Sequence, residues 1–227
     1  MIEPNNCYNM DCLVGMEEMQ KQGIIADWCI TDPPYGIGAD KSAVKRNGQM
    51  YGKAKVQNRT YKKDTWDTNK VGGGYFDLIR KVSKDQIIFG GNYYTNFLPP
   101  TKSWIVWNKR LYNSKDRNDF ADCELAWCSK GVARVFNLMY NGMLQDGKKD
   151  FRFHPTQKPT QLWCMLLNYY TKENDLILDC FAGSQSLRIA CYKTNRRYIG
   201  FEIDKYYFDK GNEWYKNETR QMSMFNE

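Results

Sequence analysis

The chain has 227 residues, of which 26% are charged and 15% are aromatic, and it carries a formal net charge of +7. This length fits one domain, 1–227, and the composition excludes a disordered or fibrous protein. The positive charge is moderate, so it favours a polyanionic partner without requiring one.

The eight cysteines include no CxxC pair. Several lie in apolar runs, where a free thiol packs as a small hydrophobe, so we expect reduced cysteines and no metal site. The first residues lack a basic segment followed by an apolar stretch, and no apolar run reaches about 18 residues. We therefore expect a cytoplasmic protein that does not insert into a membrane.

The first third of the chain predicts a strand over 6–9, a helix over 13–22 and a strand over 27–32. An acidic side chain at a strand end, two prolines that fix the backbone and an adjacent aromatic ring make a rigid acceptor for a planar amine. The alternative is a proline turn with a solvated aspartate. The pentapeptide that carries this pattern is Asp32, Pro33, Pro34, Tyr35 and Gly36.

Residues 37–75 lack apolar periodicity and are rich in Gly, Asn and Lys, which predicts a long mobile insertion. Within it, 41–63 has eight basic residues and no acidic one. Tyr51 and Tyr61 are interleaved with them, which suits phosphate contacts combined with base stacking. A solvated flexible loop is the alternative. The predicted DNA-binding residues are Lys41, Lys45, Arg46, Lys53, Lys55, Arg59, Lys62 and Lys63.

The middle of the chain is strand-rich. The pattern predicts a helix over 75–82, strands over 86–90, 104–107, 124–128 and 132–139, and a loop over 142–152.

The last third has the clearest pattern. Pro159 is placed in the first turn of an amphipathic helix. A buried strand over 176–179, a helix capped by Ser184 and a strand over 198–202 follow. This series of strand, loop, helix and strand predicts a nucleotide-binding half of an α/β fold. The polar tail, 212–227, is expected to fray.

The loop after the strand over 176–179 predicts a cofactor site. It runs from Asp179 through Phe181, Ala182 and Gly183 to Ser184, and its small residues let a ligand approach the backbone at a helix N-terminus. About 20 residues further on, Glu202 is placed to accept hydrogen bonds from a ribose. The absence of G-x-G-x-x-G disfavours a dinucleotide. A plain strand-to-helix turn with a surface glutamate is the alternative.

Three motifs stand in one order: Asp32 to Gly36, the hexapeptide His154 to Pro159 (HPTQKP), and Asp179 to Ser186. Together they resemble the permuted class of DNA amino-methyltransferases, in which the catalytic motif precedes the cofactor loop. The resemblance extends to Asn9 through Cys12 and Tyr198 through Asp204. It implies a Rossmann-like α/β fold of class I S-adenosylmethionine-dependent methyltransferases, with a mixed, mostly parallel sheet and helices on both faces.

The resemblance also implies roles for single residues. Asp32 and the Pro33 carbonyl would accept hydrogen bonds from the target amine, and Tyr35 would stack on a base flipped out of double-stranded DNA. Thr156 and Lys158 would close over the methionine part of the cofactor, and His154 could be structural. The implied residues of the S-adenosyl-L-methionine site are Asp11, Asp32, Thr156, Lys158, Asp179, Phe181, Ala182, Gly183, Ser184, Glu202 and Ile203.

Asp rather than Ser before the proline pair points, within this family, to adenine more than to cytosine. A small target-recognition region would fall at about 110–153, and a partner subunit, as in a homodimer, could complement it. One departure is Gln185, where the family usually has glycine, and its side chain could crowd the cofactor or point outward. The alternatives are therefore an N4-cytosine enzyme, a catalytically weak protein that binds cofactor and DNA, or an enzyme acting on RNA or a protein glutamine. Asp32 and the basic segment disfavour the protein substrate.

Overall fold

The computed structural model describes residues 1–36, 50–51, 54–55, 70–110, 121–141, 144–145 and 150–223. The strands are β1 (Asn6–Tyr8), β2 (Ala26–Thr31), β3 (Met50–Tyr51), β4 (Ala54–Lys55), β5 (Ser83–Phe89), β6 (Trp104–Asn108), β7 (Cys123–Cys128), β8 (Arg134–Asn137), β9 (Tyr140–Asn141), β10 (Leu144–Gln145), β11 (Leu176–Asp179) and β12 (Arg197–Phe201). The helices are α1 (Cys12–Lys21), α2 (Gly73–Val82), α3 (Thr160–Tyr170), α4 (Ser186–Lys193) and α5 (Lys205–Ser223), with a 3₁₀ turn at Gly91–Tyr93.

Eight strands form the central sheet, in the order β1, β12, β11, β2, β5, β7, β6, β8. The first five are mutually parallel. β7 runs antiparallel to both of its neighbours, and β8 is parallel to β6. β3 with β4 and β9 with β10 form separate two-stranded antiparallel sheets. The predicted mixed, mostly parallel α/β sheet is confirmed.

Hydrophobic cores lie on both faces of the sheet. Successive residues of β2 point to opposite faces, so Cys29 packs with the cluster that includes Met16 of α1 and Phe76 of α2. Trp28, by contrast, packs with the cluster that includes Leu162 of α3. A strand covered on both faces reads as a near-continuous apolar run, which is why the sequence pattern located this strand well.

Several predicted boundaries are wrong. β5 begins at Ser83, directly after α2, because the helix passes into the strand without a loop. The region predicted as a loop over 142–152 supplies β10, which pairs with β9. The strand predicted over 132–139 is confined to Arg134–Asn137. α2 begins at Gly73, inside the predicted insertion over 37–75, and most of that insertion lies outside the described residues.

Two predicted helix starts are displaced. Pro159 precedes the first turn of α3 as its N-cap and is not part of that turn. Ser184 does not cap α4; the N-cap is Gln185, which makes no side-chain capping bond and lies in the left-handed region at φ 61°.

The fraying predicted for the C-terminal tail is wrong for 212–223, which are helical, and 224–227 lie outside the described residues. α5 continues to Ser223. Trp214 is buried and packs edge-on against Phe153, with ring centroids 5.9 Å apart, while Arg188 lies 4.0 Å from the centroid of Tyr215. These contacts with distant segments stabilise a sequence whose polar composition alone suggested fraying. No helix in the described part of the chain is long and apolar enough to span a bilayer.

Candidate active site

Three adjacent parallel strands end at one edge of the sheet. β2, β11 and β12 are neighbours, so the residues at or just after their carboxyl ends, Asp32, Asp179 and Glu202, are brought together. They line a single cavity. Ligands bind at this edge in open α/β sheets. The cavity is lined by Asp32, Pro34, His154, Thr156, Gln157, Lys158, Trp163, Asp179, Phe181, Ala182, Gly183, Ser184, Ser186, Leu187, Glu202, Ile203, Asp204 and Tyr207.

Ten of the eleven residues predicted to bind the cofactor line this cavity, and Asp11 does not. Asp11 caps α1, where its Oδ1 accepts a hydrogen bond from the amide of Leu13 at 2.7 Å. Its place in the S-adenosyl-L-methionine site, which the resemblance implies, stays a prediction.

Asp32 is half-buried, and both of its carboxylate oxygens have partners. The hydroxyl of Tyr35 donates to Oδ1, and the ammonium of Lys158 donates to Oδ2. Burial raises the pKa of Asp32, while Lys158 acts in the opposite direction. In this structure the predicted amine acceptor is therefore engaged by groups of the chain itself.

Tyr35 is held by its surroundings in a defined position. Its ring stacks on that of Tyr93, with centroids 4.9 Å apart. Gly90 allows this placement, because a Cβ there would lie 2.0 Å from the Tyr35 ring, and its φ of 64° also favours glycine. The hydroxyl of Tyr94 donates to the Pro34 carbonyl and so fixes the proline turn.

Lys158 connects Asp32 to a second carboxylate. Its Nζ lies 3.4 Å from Oε2 of Glu124, and Oε1 of Glu124 accepts from Nζ of Lys109 at 3.0 Å. Burial alone would lower the pKa of Lys158, but Asp32 and Glu124 outweigh burial and raise it. Burial would raise the pKa of Glu124, but the two lysines lower it. Lys158 is thus held protonated.

Sequence reasoning missed Glu124. It is the second residue of β7, and because β7 is antiparallel, its beginning lies at the edge where the parallel strands end. A single charged residue in a strand sequence is a signal of a functional position. Placing Glu124 at the cavity edge, however, requires knowing the direction of β7. Tyr93, Tyr94 and Tyr207 were also missed, since aromatic residues are common in any core.

Glu202 supports the cofactor loop directly. Its Oε2 accepts from the amide of Gly183 at 2.7 Å, and its Oε1 accepts from the amide of Asp204 at 2.8 Å. Burial raises its pKa to about 7. Glu202 is therefore hydrogen-bonded to the glycine loop in the folded chain, and its predicted contact with a ribose stays a prediction.

Asp179 is buried at the start of the same loop. It accepts hydrogen bonds from the amide of Phe181 at 3.3 Å and from the hydroxyl of Tyr198 at 3.2 Å. Burial raises its pKa to about 7 despite these bonds.

His154 packs over the glycine loop. Its ring lies 4.3 Å from that of Tyr207, and its Nδ1 is 3.3 Å from Oγ1 of Thr156. A Cβ on Gly183 would lie 3.5 Å from its Nε2. Burial lowers the pKa of His154 to about 3, so the ring is neutral near pH 7 and suits a packing role.

Gln185 points away from the cavity. Its Nε2 donates to the Phe208 carbonyl at 3.0 Å, and its Oε1 accepts from Arg188 at 2.9 Å. The side chain is fully buried against α5, close to Gly211. Of the two orientations considered from sequence, the structure has the outward one.

Most predicted DNA-binding residues lie outside the described residues, and of Lys55 only the strand placement is described. Of the basic side chains near the predicted target-recognition region, Lys109 contacts Glu124 and Arg110 contacts Asp122 at 3.0 Å. Arg152 donates to the Pro155 carbonyl at 2.7 Å. DNA contact stays a prediction. Within the described ranges, no group of three His, Cys, Asp or Glu side chains could hold a metal ion.

The fold is that of class I S-adenosylmethionine-dependent methyltransferases. The chain superposes on the crystal structure of the M1.HpyAVI–SAM complex with a TM-score of 0.59, at 24% identity over 92% of this chain and 98% of that one. The PvuII DNA methyltransferase (cytosine-N4-specific) gives a TM-score of 0.59, at 14% identity over 97% and 92% of the two chains.

The chain belongs to the DNA methylase family. The family's model matches residues 106–213. The chain is 40% identical to YubD of Escherichia coli (strain K12), named as a methylase, over 83% of this chain and 81% of that protein. It is 34% identical to the Type II methyltransferase M.HpaI of Haemophilus parainfluenzae, over 88% of this chain and 71% of that protein.

Proposed function

We propose that this chain is a DNA methyltransferase of the permuted class, which transfers a methyl group from S-adenosyl-L-methionine to the exocyclic amine of adenine in DNA. The observation that carries the proposal is the shared edge at which Asp32 of the amine-binding motif and the glycine loop line one cavity. A methyl donor and a methyl acceptor bound at these two places would be adjacent. Proximity of this kind supplies a large part of the rate of group transfer.

The charge of the cavity fits a cationic cofactor. Four carboxyl groups line it, those of Asp32, Asp179, Glu202 and Asp204, and Lys158 is already paired with Asp32. The pKa values of Asp179 and Glu202 lie at about 7, so a bound sulfonium would favour their ionised forms, whereas the pyrophosphate of a dinucleotide would favour the protonated ones. Bound here, S-adenosyl-L-methionine supplies an electrophilic methyl group on sulfur. Glu202 is placed to accept hydrogen bonds from its ribose while holding the Gly183 amide.

Asp32 and the Pro33 carbonyl serve the target amine. That amine is a poor nucleophile because its lone pair is delocalised into the purine ring. Two acceptors that hold its hydrogens out of the ring plane favour the pyramidal nitrogen of the transition state. Tyr35, placed beside Asp32, supplies a ring face for the flipped base. No covalent enzyme intermediate is needed.

DNA binding is assigned to the basic segment within 37–75, together with the region 110–153. The eight basic residues of 41–63 suit the phosphate backbone, and the interleaved tyrosines suit unstacked bases. The choice of adenine rests on Asp32, and the competing choice is the N4 amine of cytosine, which presents the same hydrogen-bond donors to the same acceptors.

The test is to express the chain in cells that lack DNA methylation and to sequence their DNA for modified bases. N6-methyladenine in one fixed sequence context is expected, and it should be absent in cells that express Asp32→Ala. N4-methylcytosine instead would correct the substrate base and keep the enzyme class. DNA without any modification, from cells that contain folded protein, would overturn the proposal.

A further inference from the structure

The side chain of Lys158 is almost fully buried between two acids. It is 5% exposed, against 19% for Asp32 and 29% for Glu124. Its ammonium donates to Asp32 Oδ2 and lies 3.4 Å from Glu124 Oε2. It also lies 4.7 Å from the centroid of the Phe89 ring. Such a cation, shielded from water, depends on its carboxylate partners.

Capture of a target amine at Asp32 would disturb this arrangement. One oxygen of Asp32 accepts from Tyr35 and the other from Lys158, so an incoming amine competes with both donors. The more the amine displaces Lys158, the more the buried ammonium needs another counter-charge. Leaving a buried charge unpaired is strongly unfavourable.

Glu124 is placed to supply that counter-charge. Its Oε2 already faces the Lys158 ammonium, so a small movement of a flexible lysine side chain is enough to exchange partners. Its Oε1 is held by Lys109 at 3.0 Å, which keeps the carboxylate ionised and oriented. Among the described residues, these two carboxylates are the acids that form ion pairs with Lys158.

We propose that Glu124 is a positioning residue that receives the Lys158 ammonium when the target amine displaces it from Asp32. This inference rests on the proposed function. Without the Glu124 charge, Lys158 would stay on Asp32, and the amine acceptor would remain occupied. A rival partner is the carboxylate of a bound cofactor, which could take Lys158 instead and make Glu124 dispensable.

The experiment measures how strongly the protein prefers a target base that has the amine. The two duplexes are identical, in the context found by sequencing, except that one has adenine and the other has purine, which lacks the exocyclic amine. Binding is measured by fluorescence anisotropy with saturating S-adenosylhomocysteine, which carries the cofactor's carboxylate but no transferable methyl group. The variants are Glu124→Gln and the matched control Glu218→Gln, whose carboxylate pairs with Lys193 at 3.2 Å in another part of the fold.

Wild type and Glu218→Gln are expected to prefer adenine over purine, and Glu124→Gln is expected to reduce that preference about tenfold. If Glu124 had only a structural role, Glu124→Gln would weaken binding to both duplexes alike and leave the ratio of the two affinities unchanged. In the Lys158→Met background, where no ammonium competes for Asp32, Glu124→Gln should change the ratio by less than about twofold.

Equal adenine preference in wild type and Glu124→Gln would overturn this inference alone, and would mean that the cofactor's carboxylate suffices. The same tenfold loss in the Lys158→Met background would also overturn it, since Glu124 would then act without Lys158. Absence of any adenine preference in the wild-type protein would also overturn this inference, because the amine would then not compete for Asp32, whereas the proposed function is tested separately by the methylation found in sequencing.

Discussion

The two halves of the cavity are built in different ways. The cofactor half is local: the loop that begins at Asp179 and the acid Glu202 come at the carboxyl ends of consecutive parallel strands, β11 and β12, which are joined by α4. The base half is assembled from distant segments, since Lys158 and Asp32 are 126 residues apart, and Glu124 comes from the antiparallel strand β7. The spacing of residues along the chain therefore predicts the residues of the cofactor half well and those of the base half poorly.

The largest effect is expected for Asp32→Ala, which should impair methyl transfer by the base half and spare cofactor binding by the cofactor half. Asp32→Ala removes the amine acceptor but leaves the glycine loop and Glu202 in place, so methyl transfer should fall about a thousandfold. Affinity for S-adenosyl-L-methionine should stay within about threefold. A labelled-methyl assay and calorimetry measure the two effects. Asp77→Ala, which removes an exposed acid paired with Arg80, is the control and should leave both unchanged. Near-normal transfer by Asp32→Ala would contradict the assigned role.

A second change acts on the base half through packing. Gly90→Ala would place a Cβ 2.0 Å from the Tyr35 ring at a φ of 64°, so the ring must move. A displacement of about 1 Å near the reacting groups can cost about a hundredfold in rate, and we expect a loss of that order in methyl transfer. Gly74→Ala is the control, because nothing lies within 4 Å of its Cβ position. Unchanged transfer by a folded Gly90→Ala protein would show that the position of Tyr35 is not critical.

The cofactor half should respond in binding rather than in turnover. Glu202→Gln keeps the shape but replaces one of the two oxygens that can accept hydrogen bonds from the ribose by an amide NH2 group, which only donates. We expect the Kd for S-adenosyl-L-methionine to rise about tenfold, with kcat at saturating cofactor changed less than about twofold. Calorimetry and saturation kinetics measure these values. A fall in kcat with unchanged Kd would place Glu202 in the chemistry of the base half.

The raised pKa values of Asp179 and Glu202 predict how stability depends on pH. Glu202 shifts from 4.5 to about 7 and Asp179 from 3.8 to about 7. Between about pH 4 and 7 the unfolded chain ionises these groups while the folded chain keeps them protonated, so stability should fall as pH rises through that window. The melting temperature of cofactor-free Glu202→Gln should fall less than that of wild type between pH 5 and 7.5. Parallel curves would show that Glu202 is ionised in the folded protein.

Sequence reasoning recovered the sheet strands and the acids at their carboxyl ends, because buried strands read as apolar runs and the motifs are contiguous. It could not recover the direction of β7, and so it missed Glu124. It also placed the start of α4 at Ser184 and expected a frayed tail. Both predictions were wrong because tertiary packing of Gln185 and Trp214, which the sequence pattern does not show, determines the helix start and orders the tail. Composition indicates the local conformational preference of a segment, whereas the conformations at Gln185 and Trp214 are determined by contacts with segments distant in sequence.

The smallest functional effect is expected at Gln185. Its side chain faces Phe208 and Arg188, not the cavity, so Gln185→Gly should keep the Kd for S-adenosyl-L-methionine within about twofold. Glycine relieves the left-handed backbone, worth about 1 kcal/mol, but two hydrogen bonds and a fully buried side chain are lost, worth about 2–4 kcal/mol. The melting temperature should therefore fall by several degrees.

Gln185→Asn is the matched comparison for that variant, because asparagine tolerates the left-handed region yet is too short to repeat both bonds. It should lose stability as well, again with cofactor affinity retained. A large loss of affinity in either variant, at a temperature where the protein is folded, would mean that the attachment of α5 to the loop shapes the cofactor half. The cofactor half would then include α5, and it would depend on contacts between distant segments as the base half does.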